Sequence, residues 1–194
     1  SVLFGETNPS GRLPVTFPAS LDQLPRPVLD GSDWVEPDVI GSPVDGRDQL
    51  HADYDIEGSD VGYRWFSRKN FKPLFPFGFG LSYTSFTATN FKVSGRQAVV
   101  TVSNTGQRLG DEVVQIYLTS RNGKPMKRLL GFDRIRLKPG ETRSISIALD
   151  PRVLADWDNG RWVVPAGSFS IAVGRNAEEM SGMVTVRYAR EILR

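Results

Sequence analysis

The stretch from Tyr63 to Thr84 (YRWFSRKNFKPLFPFGFGLSYT) most constrains the fold, because aromatic residues, prolines and glycines crowd into it. Rings at this density are mostly buried, since each removes a large apolar area from water. Pro73 and Pro76 fix φ and remove backbone donors, so residues 72–80 are predicted to form neither a helix nor a central strand. The stretch therefore predicts a rigid, ring-lined crossover that packs against the chain on both sides. A second interpretation is that, in addition, one rim of this crossover faces a ligand pocket.

Beyond Ser85 the sequence predicts short β-strands separated by turns. Residues 142–149 (TRSISIAL) alternate apolar and polar side chains, which is the period of a half-buried strand. The other predicted strands lie at 86–93, 97–103, 112–119, 128–137, 161–164, 168–173 and 183–188, and residues 151–158 form a connection anchored by Leu154 or Trp157. Seven or eight strands at this spacing predict an antiparallel β-sandwich that buries its own core.

Residues 1–60 are not typical of a complete domain. SVLFG (1–5) is expected to end a buried strand, NPSG (8–11) is a turn signal, and RLPVTF (12–17) is a further extended piece. Periodic apolar faces are nearly absent, and such a long stretch without its own core is unusual in a compact domain. We expect it to lie across a surface outside this chain.

Composition excludes several classes of protein. The net charge of +2 divides into −5 for residues 1–82 and +7 for residues 83–194, but the basic residues are scattered, and only Lys127 and Arg128 are adjacent in the second part. This distribution argues against nucleic-acid binding. No apolar run reaches the roughly 20 residues that span a bilayer, so no membrane partner is expected.

The absence of cysteine excludes disulfides and thiolate metal sites. The single histidine, His51, sits in a polar stretch and cannot build a usual zinc site, so no metal and no cofactor is expected. The chain begins at Ser1 without a signal-peptide pattern, and we expect it to be processed, trimmed or cut from a longer protein. A periplasmic or secreted location is favoured over a cytoplasmic one.

Five motifs follow one another along the chain: NPSGRLPVTFP (8–18), VGYRWF (61–66), PLFPFGFGLSYT (73–84), NTG followed by GDEVVQIYL (104–118) and LGFDRIRLKPG (130–140). Together they resemble the C-terminal third of a glycoside hydrolase family 3 enzyme. The resemblance implies that residues 1–82 are the last strands and wrapping arm of an α/β sandwich domain. It implies that residues 83–194 form a fibronectin type III-like, immunoglobulin-like antiparallel β-sandwich, which makes the fold class mainly β.

The resemblance also implies an activity, that of a retaining, exo-acting β-glucosidase or a related β-xylosidase. Retention requires two carboxyl groups about 5–5.5 Å apart. In the family both come from segments upstream of those seen here, so this chain is expected to carry no catalytic residue. Its partners are then the barrel and the rest of the α/β sandwich, together with a β-glucoside or oligosaccharide substrate.

Several acidic residues imitate catalytic or metal-binding patterns. Asp33 lies in a Ser-Asp-Trp triplet like that around the family's nucleophile, but its irregular, proline-rich context favours a turn or a helix cap. Asp53 and Asp55 are interpreted as surface acids, because the glycine and glutamate of a calcium loop are misplaced. The acidic pair Asp111-Glu112 is expected to open a strand, and the pair Glu178-Glu179 is expected to lie in a turn.

The candidate sugar contacts lie in the ring-lined crossover. Aromatic side chains there offer flat faces to a pyranose ring, and arginines donate hydrogen bonds to hydroxyl groups. The candidates are Arg64, Trp65, Phe66, Arg68, Phe75 and Phe77, at the rim of the aglycone subsite. The competing interpretation is that all these rings belong to the core.

Two other classes of function stay open. A stand-alone carbohydrate-binding or adhesion module would leave residues 1–60 as a protease-sensitive arm, whereas part of a larger enzyme would hold them in place. A self-sufficient hydrolase would need a carboxylate pair that the sequence does not provide.

Overall fold

The computed structural model describes residues 1–28 and 55–193. The predictions for Asp33, His51 and Asp53 fall outside these residues. The described part contains a 3₁₀ helix at Leu21–Gln23, the helices α1 (Tyr63–Lys69) and α2 (Pro151–Leu154), and ten strands. The strands are β1 (Phe86–Ser94), β2 (Gln97–Asn104), β3 (Gly110–Arg121), β4 (Lys124–Leu137), β5 (Thr142–Ala148), β6 (Asp156–Asp158), β7 (Arg161–Val164), β8 (Gly167–Gly174), β9 (Met180–Tyr188) and β10 (Glu191–Leu193).

Seven strands form an antiparallel β-sandwich. One sheet has the order β1-β2-β5 and the other has the order β4-β3-β8-β9. Fully buried side chains fill the space between them, among them Val100, Ile116 and Phe169. The predicted mainly-β, antiparallel sandwich is confirmed.

The predicted strands are present, and most of them are longer than predicted, although β5 ends one residue earlier and β7 has the predicted bounds. Strand β3 begins two residues before the predicted 112 and ends two residues after the predicted 119. Strand β4 begins at Lys124, directly after Asn122 and Gly123, whose φ angles are 51° and 76°. Two positive φ values in succession are the signature of a tight hairpin turn whose twist matches that of the strands.

A third, small sheet was not predicted. The hairpin β6–β7 pairs with β10 to give the order β10-β7-β6, so residues 156–158 are a strand and not a connection. Of the two predicted anchors, Leu154 is fully buried, whereas Trp157 is 62% exposed.

The N-terminal segment differs from the prediction at its start. Residues 2–5 form a turn with Leu3 and Phe4 exposed, so the expected buried strand is wrong: no described residue offers it a strand to pair with. The predicted turn at 8–11 is likewise absent. Asn8 instead joins distant segments, because its amide donates to the carbonyl of Leu109 and accepts from Ser82 Oγ and the Tyr83 N–H.

Residues 12–17 run alongside the ring-lined crossover, with a bend at 14–15 that interrupts the extended piece predicted there. The Leu13 N–H donates to the Phe79 carbonyl at 2.8 Å, and the Phe17 N–H donates to the Phe75 carbonyl at 2.8 Å. In addition, Arg12 Nη2 lies 2.7 Å from Glu112 Oε2 at the start of β3, with both side chains largely buried. This ion pair fastens the N-terminal segment to the sandwich.

We predict that Phe169→Ala destabilises the chain by about 3–5 kcal/mol, because it opens a cavity at a fully buried site. Phe132→Ala is the matched control, since Phe132 lies in the same sheet but is 65% exposed. Its effect should stay within about 0.5 kcal/mol. Urea unfolding followed by circular dichroism measures both changes, and similar losses for the two variants would contradict the assigned core.

We predict that Arg12→Met destabilises the chain by about 3–5 kcal/mol, because it leaves Glu112 buried without its partner. Burial raises the pKa of Glu112, and Arg12 opposes that rise. The native chain therefore binds this proton more readily than the unfolded chain, and the burial penalty shrinks as the pH falls through the folded-state pKa.

The loss caused by Arg12→Met should accordingly be larger at pH 8 than at pH 5. Adding Glu112→Gln should recover part of it at pH 8, since a neutral amide costs less to bury than a carboxylate. Urea unfolding at the two pH values is the measurement. A pH-independent loss would refute the role of the Glu112 charge.

Candidate functional site

Helix α1 forms the first part of the ring-lined crossover, where the sequence did not predict a helix. It follows Gly62 (φ 59°) and ends at Lys69, and its C-cap Asn70 is a left-handed residue whose N–H donates to the carbonyls of Phe66 and Ser67. Such a cap satisfies carbonyl groups that the last helical turn leaves free. Residues 72–80 contain no helix and no named strand, as the prolines predicted.

Two of the six candidate residues, Trp65 and Phe66, lie on the buried face of α1. They are 6% and 4% exposed. The Trp65 indole N–H donates to the Gln23 carbonyl at 2.9 Å, which ties the 3₁₀ helix to α1. Both rings therefore serve packing and offer no exposed face to a sugar.

Phe77, another candidate, belongs to a column of rings that covers β3. It stacks on Tyr63 at 4.7 Å between centroids, and Tyr63 meets the buried ring of Tyr117 edge-on at 6.2 Å. Burial raises the pKa of the Tyr117 hydroxyl far above its ordinary value, so it stays protonated and donates to Gln115 Oε1 at 2.6 Å. Central strand β3 is thus buried on both faces.

Gly78 in the FGFG motif permits the close packing of the crossover against β3. Gly78 has φ 80°, and a Cβ there would lie 2.1 Å from Gln115 Oε1. The Gln115 amide donates to the carbonyls of Gly78 and Arg175, and the Phe77 carbonyl accepts from the Ala177 N–H. Only glycine allows the crossover to approach β3 this closely.

Arg64 and Arg68 line a polar groove between α1 and β4 with a volume of about 570 Å³. The loop before α1 and the helix itself form one wall, and the first residues of β4 form the other. The lining residues are Ser59, Asp60, Arg64, Ser67, Arg68, Asn70, Pro125, Met126, Lys127 and Arg128. We call this the polar groove.

Positive charge dominates the polar groove. Arg68 pairs with Asp60 at 3.3 Å where both side chains are solvated, so the pair adds little stability. Burial lowers the pKa of Arg128, and the nearby Arg64 lowers it further. Arginine nevertheless keeps its proton at physiological pH, so the groove presents several guanidinium donors.

This donor set suits a ligand rich in hydroxyl groups. Guanidinium, amide and hydroxyl groups supply donors and acceptors in several directions. Asp60 is the one carboxylate among the described residues that line the groove. A retaining glycosidase mechanism uses two facing carboxyl groups, whereas the described lining of this groove supplies one.

Phe75 lies elsewhere, on an apolar face that residues 11–17 and 75–81 build together. Its ring meets Phe17 at 6.3 Å and Phe79 at 5.1 Å. An open depression on this face has a volume of about 660 Å³. It is lined by Gly11, Arg12, Leu13, Phe17, Phe75, Phe79, Gly80 and Leu81. We call this the apolar face. Phe17, Phe75 and Leu81 are 45%, 40% and 70% exposed.

The acidic pair in GDEVV has a structural role. Asp111 accepts from Arg136 at 2.6 Å, and this hydrogen bond holds the pKa of the carboxyl below its ordinary value. Glu112 pairs with Arg12, as described above. Among the described residues, no group of three His, Cys, Asp or Glu side chains is arranged to hold a metal ion. No helix in the described ranges is long and apolar enough to span a membrane.

The structure therefore divides the six candidates among four places: Trp65 and Phe66 in the interior, Phe77 half-buried over β3, Arg64 and Arg68 in the polar groove, and Phe75 on the apolar face. The sequence analysis did not predict that β4 forms the second wall of the polar groove. The adjacent basic residues Lys127 and Arg128 were the one feature of the sequence that could have indicated it. Pairing between β3 and β4 brings these residues opposite α1, although the two segments lie far apart in the sequence. Composition alone does not reveal that proximity.

Comparison with known proteins shows two matching domain families. Residues 1–83 match the glycosyl hydrolase family 3 C-terminal domain, and residues 112–177 match the fibronectin type III-like domain. The chain is 36% identical to beta-glucosidase B of Emericella nidulans over 95% of its own length and 23% of the relative's. It is 37% identical to a beta-glucosidase of Rhizobium radiobacter, again over 95% of this chain and 23% of the relative.

Solved structures give the same result. Beta-glucosidase 3B of Thermotoga neapolitana, in complex with α-D-glucose, aligns with a TM-score of 0.78 and 33% identity over 100% of this chain and 26% of that one. Residues 1–83 therefore contain the C-terminal domain of glycosyl hydrolase family 3, as the sequence resemblance indicated. It spans about a quarter of the length of these relatives.

We predict that Tyr63→Phe destabilises the chain by about 1–2 kcal/mol, because it removes the acceptor of the Leu129 N–H. That N–H lies where the β3–β4 pairing shifts register. Tyr83→Phe is the control, since the exposed Tyr83 hydroxyl donates to Val2 and its loss should cost less than about 0.5 kcal/mol. Amide exchange at Leu129 should accelerate in Tyr63→Phe only, and unchanged exchange would contradict the contact.

Proposed function

We propose that this chain is the C-terminal portion of a retaining, exo-acting β-glucosidase that hydrolyses terminal β-D-glucosyl residues. Its own contribution is scaffolding, together with one rim of the aglycone subsite. The relatives named above are beta-glucosidases by name, which supports the reaction class. A β-xyloside is the alternative substrate.

The apolar face is the observation that carries the proposal. Its exposed phenylalanine and leucine side chains form one contiguous apolar surface, and such surfaces mark contacts with other parts of a protein. The chain covers about a quarter of its relatives. The surface is therefore proposed to pack against the remainder of the α/β sandwich domain, which precedes this chain in the complete enzyme.

We propose a division into residues 1–82, completing the α/β sandwich domain, and residues 83–194, forming the fibronectin type III-like domain. The Arg12–Glu112 ion pair and the packing of Phe77 over β3 support a rigid junction between the two. Such a junction would fix the α/β domain against the sandwich. The barrel and the upstream α/β segment then supply the nucleophile and the acid/base.

The polar groove is proposed as the rim of the aglycone subsite. Arg64 and Arg68 would donate hydrogen bonds to hydroxyl groups of the sugar that leaves, and Asp60 would accept one. The mixture of donors and acceptors around an open groove supports a polar, hydroxylated aglycone. Of the aromatic candidates, Phe75 on the apolar face is assigned to interdomain packing.

Native mass spectrometry tests the scaffold role. This chain should form a complex with the upstream portion of the protein, and the complex should hydrolyse an aryl β-D-glucoside while neither part does so alone. Phe75→Asp should abolish complex formation, because it places a charge in the proposed apolar contact. Phe132→Asp, at an exposed site on β4, is the control. A monomeric chain without affinity for the upstream portion would favour a stand-alone sugar-binding or adhesion module.

We predict that Arg64→Ala and Arg68→Ala each raise KM for a β-linked glucose disaccharide about 3–10-fold, with kcat unchanged. KM for an aryl glucoside should not change, because that aglycone offers no hydroxyl groups to these arginines. Arg187→Ala, at an exposed position on β9, is the control. Steady-state kinetics of the complete enzyme is the measurement. Equal KM changes for both substrates would contradict the assignment to the aglycone side.

A further inference from the structure

Two tryptophans lie exposed on the small third sheet. Trp157 on β6 and Trp162 on β7 are directly paired across the hairpin and are 62% and 37% exposed. Their ring centroids are 5.2 Å apart with an interplanar angle of 69°. A tryptophan normally loses most of its surface on folding, so two neighbouring exposed rings call for an explanation.

The hairpin that carries the two rings is firmly held. Val163 and Val164 at the base of β7 are buried, and Leu154 just before β6 is fully buried. Asp156 pairs with Arg121 at 2.7 Å, and Arg128 donates to the carbonyls of Val153 and Ala155. The rings therefore stand on a preorganised support, which lowers the entropy lost when a ligand binds.

The surroundings of the tryptophan pair are polar and carry both signs of charge. Asp158, Asn159 and Arg161 at the hairpin tip are exposed, and Glu191 lies on neighbouring strand β10. No single sign dominates, so the site matches neither the uniform charge that recognises nucleic acid nor that which recognises an anionic membrane. A neutral, hydroxyl-rich ligand fits these groups.

The exposed area of the tryptophan pair also limits the kind of ligand that it can bind. Taking about 250 Å² for one tryptophan, the two rings expose on the order of 250 Å². A stable protein–protein interface buries roughly 800 Å² on each partner. Two rings match the apolar faces of one or two sugar units much better than they match a protein surface.

We propose that Trp157 and Trp162 form a non-catalytic binding site for β-linked glucose oligosaccharides. The choice of glucose rests on the proposed β-glucosidase function, and the rest follows from the ring pair and its polar rim. The site is separate from the polar groove: Asp156 contacts the groove residue Arg128, but consecutive residues of a strand point to opposite faces, and Trp157 therefore faces away. Such a site would hold a long substrate near the enzyme.

Titration of this chain with a β-1,4-linked glucose hexasaccharide tests the proposal without requiring hydrolysis. Binding should be visible by calorimetry and as a change in tryptophan fluorescence. Trp157→Ala and Trp162→Ala should each raise Kd at least about tenfold, since truncated aromatic anchors dominate small sites. Trp157→Tyr should retain binding and Trp157→Leu should lose it, because only tyrosine keeps a ring.

Phe132→Ala is the matched control, because it removes an equally exposed ring from another strand without touching the hairpin. Its Kd should stay within about twofold of the unsubstituted chain. Absence of binding, or equal binding by Trp157→Ala, would overturn the proposal. Equal affinity for an α-1,4-linked hexasaccharide would overturn the stated preference for β-linkage.

Measurements of hydrolysis by the complete protein distinguish a failure of the proposed binding site from a failure of the proposed function. If it hydrolyses an aryl β-glucoside but this chain binds no hexasaccharide, the inference fails and the function stands. If the chain binds through Trp157 while the complete protein is inactive, the binding site stands and the function fails. If Trp157→Ala instead weakens assembly with the upstream portion and no sugar binds, the pair is an interdomain contact and the inference is overturned.

Discussion

The fold depends on the burial of β3 on both faces. One face fills the sandwich core with Val114, Ile116 and Leu118, and the other is covered by the ring-lined crossover through Tyr117 and Gln115. A strand in this position loses almost all contact with water, so each polar group on it needs a partner. Gln115 satisfies this requirement by bonding to the backbone of the crossover and of the loop after β8. The sandwich and the N-terminal segment are thereby held as one packed unit.

The same packing decides which side chains remain available for function. Burying Trp65 and Phe66 under α1 turns Arg64 and Arg68 toward β4, where they line the polar groove. Pairing residues 12–17 with 75–79 leaves Phe17 and Phe75 on an apolar face that the described residues do not cover. The positions of the polar groove and of the apolar face therefore follow from the packing of the core.

Much of the sandwich could be predicted, because strand alternation and turn residues are local signals. TRSISIAL, Asn122-Gly123 and Lys138-Pro139-Gly140 each specify their conformation within a few residues. Helix α1 was missed because YRWFSRK lacks a long periodic apolar face and depends on Gly62, on Asn70 and on tertiary packing. The strand predicted at SVLFG failed because a strand needs a partner edge, which the described residues do not provide.

The sequence by itself determined the antiparallel β-sandwich, the non-helical crossover at 72–80 and the family, because alternation, proline and motif order are properties of the chain. It also singled out Arg64, Arg68 and Phe75, which the structure places on the polar groove and the apolar face. Only the tertiary structure decided which rings are buried, that Lys127 and Arg128 face α1, and that Trp157 and Trp162 meet on an exposed hairpin. Exposure and proximity arise from contacts between residues far apart in sequence, and no local pattern encodes them.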